Sequence, residues 1–93
     1  MRLIIHHETI VVSGKVQGVF FRASAKEQAD QLALKGNVRN LADGRVYIEA
    51  EGTAESLIAF RGWCVEGPPG ALVNSVEFQR GELSNYDSFT IIR

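Results

Sequence analysis

Cysteine, proline and tryptophan are scarce in this sequence of 93 residues, which has one cysteine, two prolines and one tryptophan. The single cysteine, Cys64, cannot form an internal disulfide, so nothing indicates an oxidising compartment. No apolar run approaches the roughly 20 residues that a membrane-spanning helix needs. The opening residues Met1–Ile5 meet His6 and His7 too soon to form the core of a signal peptide. These absences predict a cytoplasmic protein.

An excess of positive charge is also missing. Ten Lys and Arg residues and eleven Asp and Glu residues give a net charge of −1. A general nucleic-acid or membrane-surface binder needs a basic surface, so both classes of partner are disfavoured. The hydrophobic fraction of 45% and the charged fraction of 23% are ordinary for a globular protein and exclude disorder. With no repeat or linker, residues 1–93 are predicted to form one domain.

Hydrophobic patterns predict the element order β-α-β-β-α-β, followed by a short terminal strand. Apolar residues at helical spacing predict a helix over residues 21–34, ended by Lys35-Gly36, and a second helix from the N-cap Thr53 to Gly67-Pro68-Pro69. Asp43-Gly44 predicts a two-residue type I′ hairpin turn, which needs positive φ at both positions. The predicted strands are about residues 5–13, 38–42, 45–51, 73–80 and 89–92.

This order of elements predicts the fold class. The tight hairpin makes the two middle strands antiparallel neighbours, and each helix is a crossover, which is right-handed. Interleaving the two crossover units gives an α+β, ferredoxin-like split βαβ sandwich. We expect an antiparallel sheet with both helices on one face.

Several kinds of chemistry are excluded by spacing. A phosphatase with a cysteine nucleophile needs an arginine in the same anion-binding loop, but the residue six positions after Cys64 is Gly70. Cys64 also lies on the apolar stripe of the second predicted helix, which favours a buried structural role. Asp30, Asp43 and Asp87 lie too far apart in the sequence for an aspartyl-phosphate site.

The histidines do not predict a metal site. His6 and His7 are adjacent on a predicted strand and therefore point to opposite faces. His6 and Glu8 share a face, but two ligands are too few for a typical zinc site. We interpret both histidines as solvated strand-edge residues, and Trp63 as a packing residue beside the helix stripe.

One segment, Gly14–Arg22, remains as a candidate for chemistry. It leaves a strand and opens a helix, so its backbone N–H groups can form an anion-binding nest, strengthened by the helix dipole. Arg22 can offer a planar fork of donors to phosphate oxygens. It is not a Walker loop, because no Lys-Ser or Lys-Thr follows Gly18. Taken alone, a tight turn with a surface arginine explains the segment about as well.

The element order is also that of the RNA-recognition fold. That module reads bases with exposed aromatic residues on a glycine- and aromatic-rich strand. No segment matches this motif, and the polar face of the predicted third strand carries Glu49 and Glu51, which would repel phosphate. An RNA reader is therefore disfavoured.

Two segments at a characteristic spacing, Val12–Arg22 and Gly36–Val46, together resemble the paired signature of acylphosphatases. The Trp63–Ala71 region and the ending Phe89–Arg93 are similar to that family too, so the resemblance covers nearly the whole chain from about Ile10. It implies a ferredoxin-like sandwich and hydrolysis of the carboxyl-phosphate bond of acyl phosphates, without metal or cofactor.

The resemblance also implies roles for particular residues. Arg22 and the preceding loop would hold the phosphate, and Asn40 would position the attacking water. Two residues depart from the family pattern: the family commonly has an aromatic residue at the position of Asn37 and an acidic residue at the position of Tyr47. Neither is a catalytic position in the family, so the Asn37 departure is expected to affect local packing and not activity. The loop residues implied to bind phosphate are Lys15, Val16, Gln17, Gly18, Val19, Phe20 and Phe21.

The expected partners follow from this assignment. We predict a monomer that acts on a small acyl phosphate, with inorganic phosphate as product and inhibitor, and with no nucleic-acid or membrane partner. Nothing in the sequence selects the acyl group. The alternative is a non-catalytic anion-binding module on the same fold, and the presence of Asn40 with Arg22 favours the enzyme.

Overall fold

The computed structural model describes residues 3–93, which form five strands and two helices. None of the helices in this range is long and apolar enough to cross a membrane. The predicted element order, including the terminal strand, is confirmed. The elements are β1 (His6–Lys15), α1 (Phe21–Gln31), β2 (Lys35–Asn40), β3 (Val46–Gly52), α2 (Ala54–Glu66), β4 (Leu72–Gly81) and β5 (Phe89–Ile92).

The five strands form one sheet in the order β4-β1-β3-β2-β5. The β1–β3, β1–β4 and β2–β3 pairs are antiparallel, and β5 pairs with β2 in parallel. The sheet is therefore mixed and not wholly antiparallel. Strand β4 ends opposite the start of β1, so β5 begins at that end of the sheet and runs in the direction of β2. The architecture is the predicted ferredoxin-like α+β sandwich.

One hydrophobic core joins the sheet to both helices. The helical spacing correctly predicts the buried residues of α1 and α2, but Ile58 and Val65, which were expected to widen the apolar stripe of α2, are exposed. Trp63 packs against the core, with its ring centroid 5.2 Å from that of Phe21 and 6.0 Å from that of Phe60. Burial raises the pKa of the Cys64 thiol, so this side chain is an inert part of the core. The central buried residues are Ile10, Val12, Val46, Ile48 and Ala50 of the sheet, and Phe21, Ala25, Ala29, Leu57, Phe60 and Cys64 of the helices.

Helix α1 ends earlier than predicted, and a different residue ends it. Ala33 adopts a left-handed φ of 58°, and the Leu34 N–H donates to the Ala29 carbonyl at 2.8 Å, as in a Schellman motif. The prediction that Gly36 ends the helix is wrong. Gly36 lies in β2, where an added Cβ would lie 1.8 Å from the carbonyl oxygen of Glu49, so close packing of two strands requires glycine there.

Ala33→Gly is therefore expected to stabilise the protein by about 0.5–1 kcal/mol, because glycine adopts a left-handed φ without the steric cost that alanine carries. The same change at Ala59, an exposed position inside α2, should lower the free energy of unfolding by about 1 kcal/mol. Urea unfolding of both variants measures this contrast. Equal destabilisation at both sites would contradict the left-handed assignment.

The β2–β3 hairpin is present, but its predicted two-residue turn is wrong. Residues 41–45 form the loop, and the Leu41 N–H donates to the Arg45 carbonyl at 2.8 Å. Gly44 has a φ of 96°, whereas Asp43 is not among the residues with positive φ. The Asp43 carboxylate instead accepts hydrogen bonds from the Arg45 N–H and from its Nε. The longer loop places the end of β2 at Asn40.

The interpretation of His7 as a solvated residue is also wrong. Its side chain is 5% exposed; Nδ1 lies 2.7 Å from Oε2 of Glu51, and Nε2 lies 3.4 Å from Oε1 of Glu49. His6 is half-buried, and its Nδ1 lies 2.8 Å from Nη1 of Arg80. Residues 82–88 lead from β4 to β5 and pass beside His7: the ring centroid of Tyr86 lies 6.2 Å from that of His7.

Glu51 anchors that connecting segment to the sheet. Its buried carboxylate accepts three backbone hydrogen bonds from the segment in addition to its contact with His7. Burial alone would raise the pKa of Glu51, but these donors outweigh it and hold the pKa below its ordinary value of 4.5. The donors are the N–H groups of Ser84 (2.5 Å), Asn85 (3.0 Å) and Tyr86 (3.3 Å).

A carboxylate whose pKa is depressed on folding contributes stability above its unfolded pKa and loses it as the pH falls. The free energy of unfolding should therefore decrease as the pH falls below the ordinary value of 4.5. Glu51→Gln should cost about 2–3 kcal/mol at pH 7 and flatten this dependence, whereas Glu77→Gln, at an exposed site on β4, should not. Urea unfolding from pH 3 to 8 tests both, and an unaltered slope for Glu51→Gln would contradict the anchor.

Candidate functional site

A cavity of about 400 Å³ opens where β1, β2 and β5 end and α1 begins. These three strands run in the same direction, so their carboxyl ends meet at one end of the sheet. The cavity brings together the two residues predicted for the chemistry, Arg22 and Asn40, although they lie on different elements. Its lining residues are Val16, Gln17, Gly18, Phe20, Phe21, Arg22, Ala23, Asn40, Ile91 and Arg93.

The loop between β1 and α1 presents its backbone to this cavity. Gly18 and Phe20 have positive φ values of 75° and 61°, and Phe20 is the N-cap of α1 but provides no side-chain cap. No acceptor within residues 3–93 receives a hydrogen bond from the N–H groups of residues 17–23. A row of N–H donors at a helix N-terminus is suited to binding an oxyanion.

Gln17 holds this loop against the β2–β3 hairpin. Its Nε2 donates to the carbonyls of Leu41 at 2.8 Å and Arg45 at 3.0 Å. Leu41 directly follows Asn40 in the chain, so these hydrogen bonds link the predicted anion-binding loop to the segment that carries the predicted water-positioning residue. The Gln17 side chain thus positions the two halves of the site relative to each other.

The predicted loop residues do not contribute equally. Val16 is fully buried, so only its backbone can face a ligand. Lys15 and Val19 are not among the residues that line the cavity. Gly18 has open space where a Cβ would stand, and its φ of 75° favours glycine. The loop therefore contributes backbone groups more than side chains.

Arg22 lies in the first turn of α1 and is half-buried. Its Nη1 donates to the Ile92 carbonyl at 3.4 Å, which orients the guanidinium toward β5. No carboxylate of residues 3–93 forms a salt bridge with it. The guanidinium therefore retains donors that can bind two oxygens of one anion.

Asn40 is the last residue of β2, opposite Val46 of β3. It is half-buried, and its side-chain amide forms no hydrogen bond with another residue in the described range. An amide has both donors and an acceptor, so it can hold a water molecule in a defined orientation. Asn40 lines the same cavity as Arg22.

Two lining residues were not predicted from the sequence. Ile91 and Arg93 reach the cavity from β5 and the residue that follows it. The signal that would have found them is the parallel pairing of β2 with β5, which local patterns do not show. Arg93 is the second arginine among the lining residues.

The cavity lining has no aspartate, glutamate, histidine or cysteine. It therefore lacks both a general acid or base and the usual ligands of a divalent cation. In the described part of the chain, no group of three or more such side chains could hold a metal ion. The site can stabilise negative charge and orient water, and both tasks require positioning more than proton transfer.

The two departures from the family pattern lie outside the cavity. Asn37 is buried in β2, and its Oδ1 has no hydrogen-bond partner among the described residues. The ring of Tyr47 lies under the guanidinium of Arg39, at 4.7 Å.

Comparisons with known proteins agree with this architecture. The family model described as Acylphosphatase matches residues 8–91. The chain is 48% identical to an acylphosphatase of Marinobacter nauticus over 91 residues, which are 98% of this chain and 97% of that protein. Among solved structures, an acylphosphatase from Coxiella burnetii superposes with a TM-score of 0.92 and 39% identity, covering 95% of this chain and 93% of that chain. One from Bacillus subtilis gives a TM-score of 0.92 and 34% identity, covering 97% and 100%.

Proposed function

Because the chain belongs to the acylphosphatase family, we propose that the cavity at the carboxyl ends of β1, β2 and β5 is the place where it hydrolyses acyl phosphates. The observation that carries the proposal is that Arg22 and Asn40 line one cavity beside a row of backbone N–H groups that have no acceptor within residues 3–93. In this assignment the N–H groups and Arg22 hold the phosphoryl group, and Asn40 positions the attacking water.

The phosphoryl group is held by charge and by fixed dipoles. The N–H groups of residues 17–23, at and before the N-terminus of α1, have no acceptor within residues 3–93 and can donate to the phosphoryl group, and the Arg22 fork matches two phosphoryl oxygens. These donors are in place before the substrate arrives, so they stabilise the charge of the transition state without reorganisation. Arg93, which also lines the cavity, adds a second positive charge.

The leaving group explains why the cavity needs no general acid. An acyl phosphate releases a carboxylate, whose conjugate acid has a pKa of about 4, so the oxygen departs without protonation. The alkoxide or phenoxide that a phosphate monoester releases is far more basic than a carboxylate and leaves more readily with a proton from an acid. The lack of titratable acids in the lining therefore favours acyl phosphates over monoesters.

Water attack then depends on alignment. Asn40 accepts a hydrogen bond from the water or donates one to it, and so directs a lone pair at phosphorus in line with the scissile bond. With no side-chain base in the lining, a phosphoryl oxygen of the substrate accepts the proton of the water. Because the lining also has no metal-ligand set, we propose that Arg22, Arg93 and the N–H groups supply all of the stabilising positive charge.

Hydrolysis of benzoyl phosphate and of phenyl phosphate by the purified protein tests the proposal. We expect turnover of benzoyl phosphate that is unchanged by a strong chelator and inhibited competitively by inorganic phosphate and by sulfate, and little turnover of phenyl phosphate. Activity lost with the chelator and restored by one divalent ion would overturn the metal-free mechanism. Phosphate binding without any turnover would favour the non-catalytic anion-binding module.

A further inference from the structure

Phe20 combines two locally unfavourable features. Its side chain is 82% exposed, although exposing a phenyl ring to water is unfavourable. Its backbone has φ 61° and ψ 26°, the left-handed region that is a genuine outlier for a bulky residue. A glycine would remove both costs, and strained residues of this kind cluster at functional sites.

The position of Phe20 relates these costs to the cavity. Phe20 is one of the residues that line the cavity, and three further apolar residues, Phe21, Ala23 and Ile91, line it as well. Arg22 lines the same cavity and carries the donors for a phosphoryl group. A substrate whose phosphoryl group takes those donors must place its acyl substituent against the remaining, apolar lining.

We propose that Phe20 is a specificity-determining residue that contacts the acyl substituent and favours aromatic or bulky acyl phosphates over acetyl phosphate. This inference rests on the proposed function. An exposed phenyl ring at the rim gains contact area when an apolar acyl group covers it, and aromatic rings pack favourably in stacked or edge-to-face arrangements. The methyl group of acetyl phosphate covers little of the ring.

The test compares kcat/KM for benzoyl phosphate and for acetyl phosphate. Phe20→Gly should lower the ratio of the two values about tenfold, and Phe20→Leu should lower it by a smaller factor, because leucine keeps an apolar contact but loses the ring. The matched control is Phe78→Leu, since Phe78 is another exposed phenylalanine, on β4 and against Arg61. That control should keep the wild-type ratio.

The outcomes distinguish a failure of the Phe20 specificity proposal from a failure of the proposed acyl-phosphate hydrolysis. If the wild-type protein hydrolyses neither substrate, the proposed function fails. If it hydrolyses both and the Phe20 variants keep the wild-type ratio, only the specificity assignment fails. If the substitutions only disturb the fold of the loop, kcat/KM should fall equally for both substrates, so that their ratio is unchanged, and the inhibition constant of inorganic phosphate should rise. That result also overturns the specificity assignment.

Discussion

Replacing Arg22 with alanine is expected to lower kcat/KM for an acyl phosphate by about 10³-fold or more, because a bidentate charged contact to the phosphoryl group is lost in a site built on electrostatic stabilisation. Arg22→Lys should lose about 10²-fold, since lysine keeps the charge but not the planar fork. The inhibition constant of inorganic phosphate should rise in both variants, because Arg22 contacts the bound anion before and during reaction.

Arg39→Lys is the matched control for that experiment. Arg39 is exposed in β2, and its guanidinium lies over Tyr47 outside the cavity, so the same chemical change should leave kcat and phosphate inhibition unaltered. Wild-type kinetics in Arg22→Lys would show that the guanidinium forms no bidentate contact with the phosphoryl group. If activity is lost without loss of phosphate affinity, Arg22 contacts the phosphoryl group only in the transition state.

Asn40→Ala should reduce kcat by about 10²-fold while leaving phosphate inhibition nearly constant, because the amide holds the water and not the phosphate. The half-buried side chain forms no hydrogen bond with other described residues, so the melting temperature should change little. Steady-state kinetics with benzoyl phosphate, phosphate inhibition and a thermal melt on the same samples measure the three quantities.

Asn74→Ala on β4 is an exposed asparagine replacement away from the cavity and should behave as wild type. If Asn40→Ala keeps the wild-type kcat, Asn40 does not position the water. If kcat and phosphate affinity fall together, Asn40 belongs to the phosphate contact instead.

The fold was accessible from the sequence because its main determinants are local. Helical spacing located the buried faces of both helices, and Thr53 and Gly67 mark the limits of α2 as predicted: the Thr53 hydroxyl accepts from the Ser56 N–H at 3.2 Å, and Gly67 has a φ of 70°. Alternating apolar residues located β3. Each signal depends on neighbours within a few positions, which a pattern can show.

The errors arose where distant residues decide the outcome. His7 is buried because residues 82–88 pass the end of the sheet and dock on Glu51, a contact between segments far apart in the chain. Gly36 does not end α1 because it lies inside β2, packed against Glu49, and Ala33 has the left-handed conformation at the end of the helix. In each case tertiary packing overrides a local preference, and a single sequence does not reveal the packing.

The site was predicted only in part for the same reason. The loop and Arg22 follow from a local motif, and Asn40 entered through the resemblance to a family. Arg93 and Ile91 reach the cavity through the parallel β2–β5 pair, so no local motif indicates them. Phe20 was placed in the loop, but its exposure and its backbone conformation are visible only in three dimensions.

The part of the cavity that β5 forms should open at a lower free energy than the rest of the protein unfolds. Strand β5 has four residues and lies at the edge of the sheet, paired only with β2. Short edge segments open locally at a lower free energy than the whole molecule, so amide exchange should be faster at Ile91 than at Ile48. We expect such an opening to remove Ile91 and Arg93 from the cavity before the central sheet unfolds. Activity should then fall at a temperature below the melting temperature, and bound phosphate, by favouring the closed strand, should delay that loss.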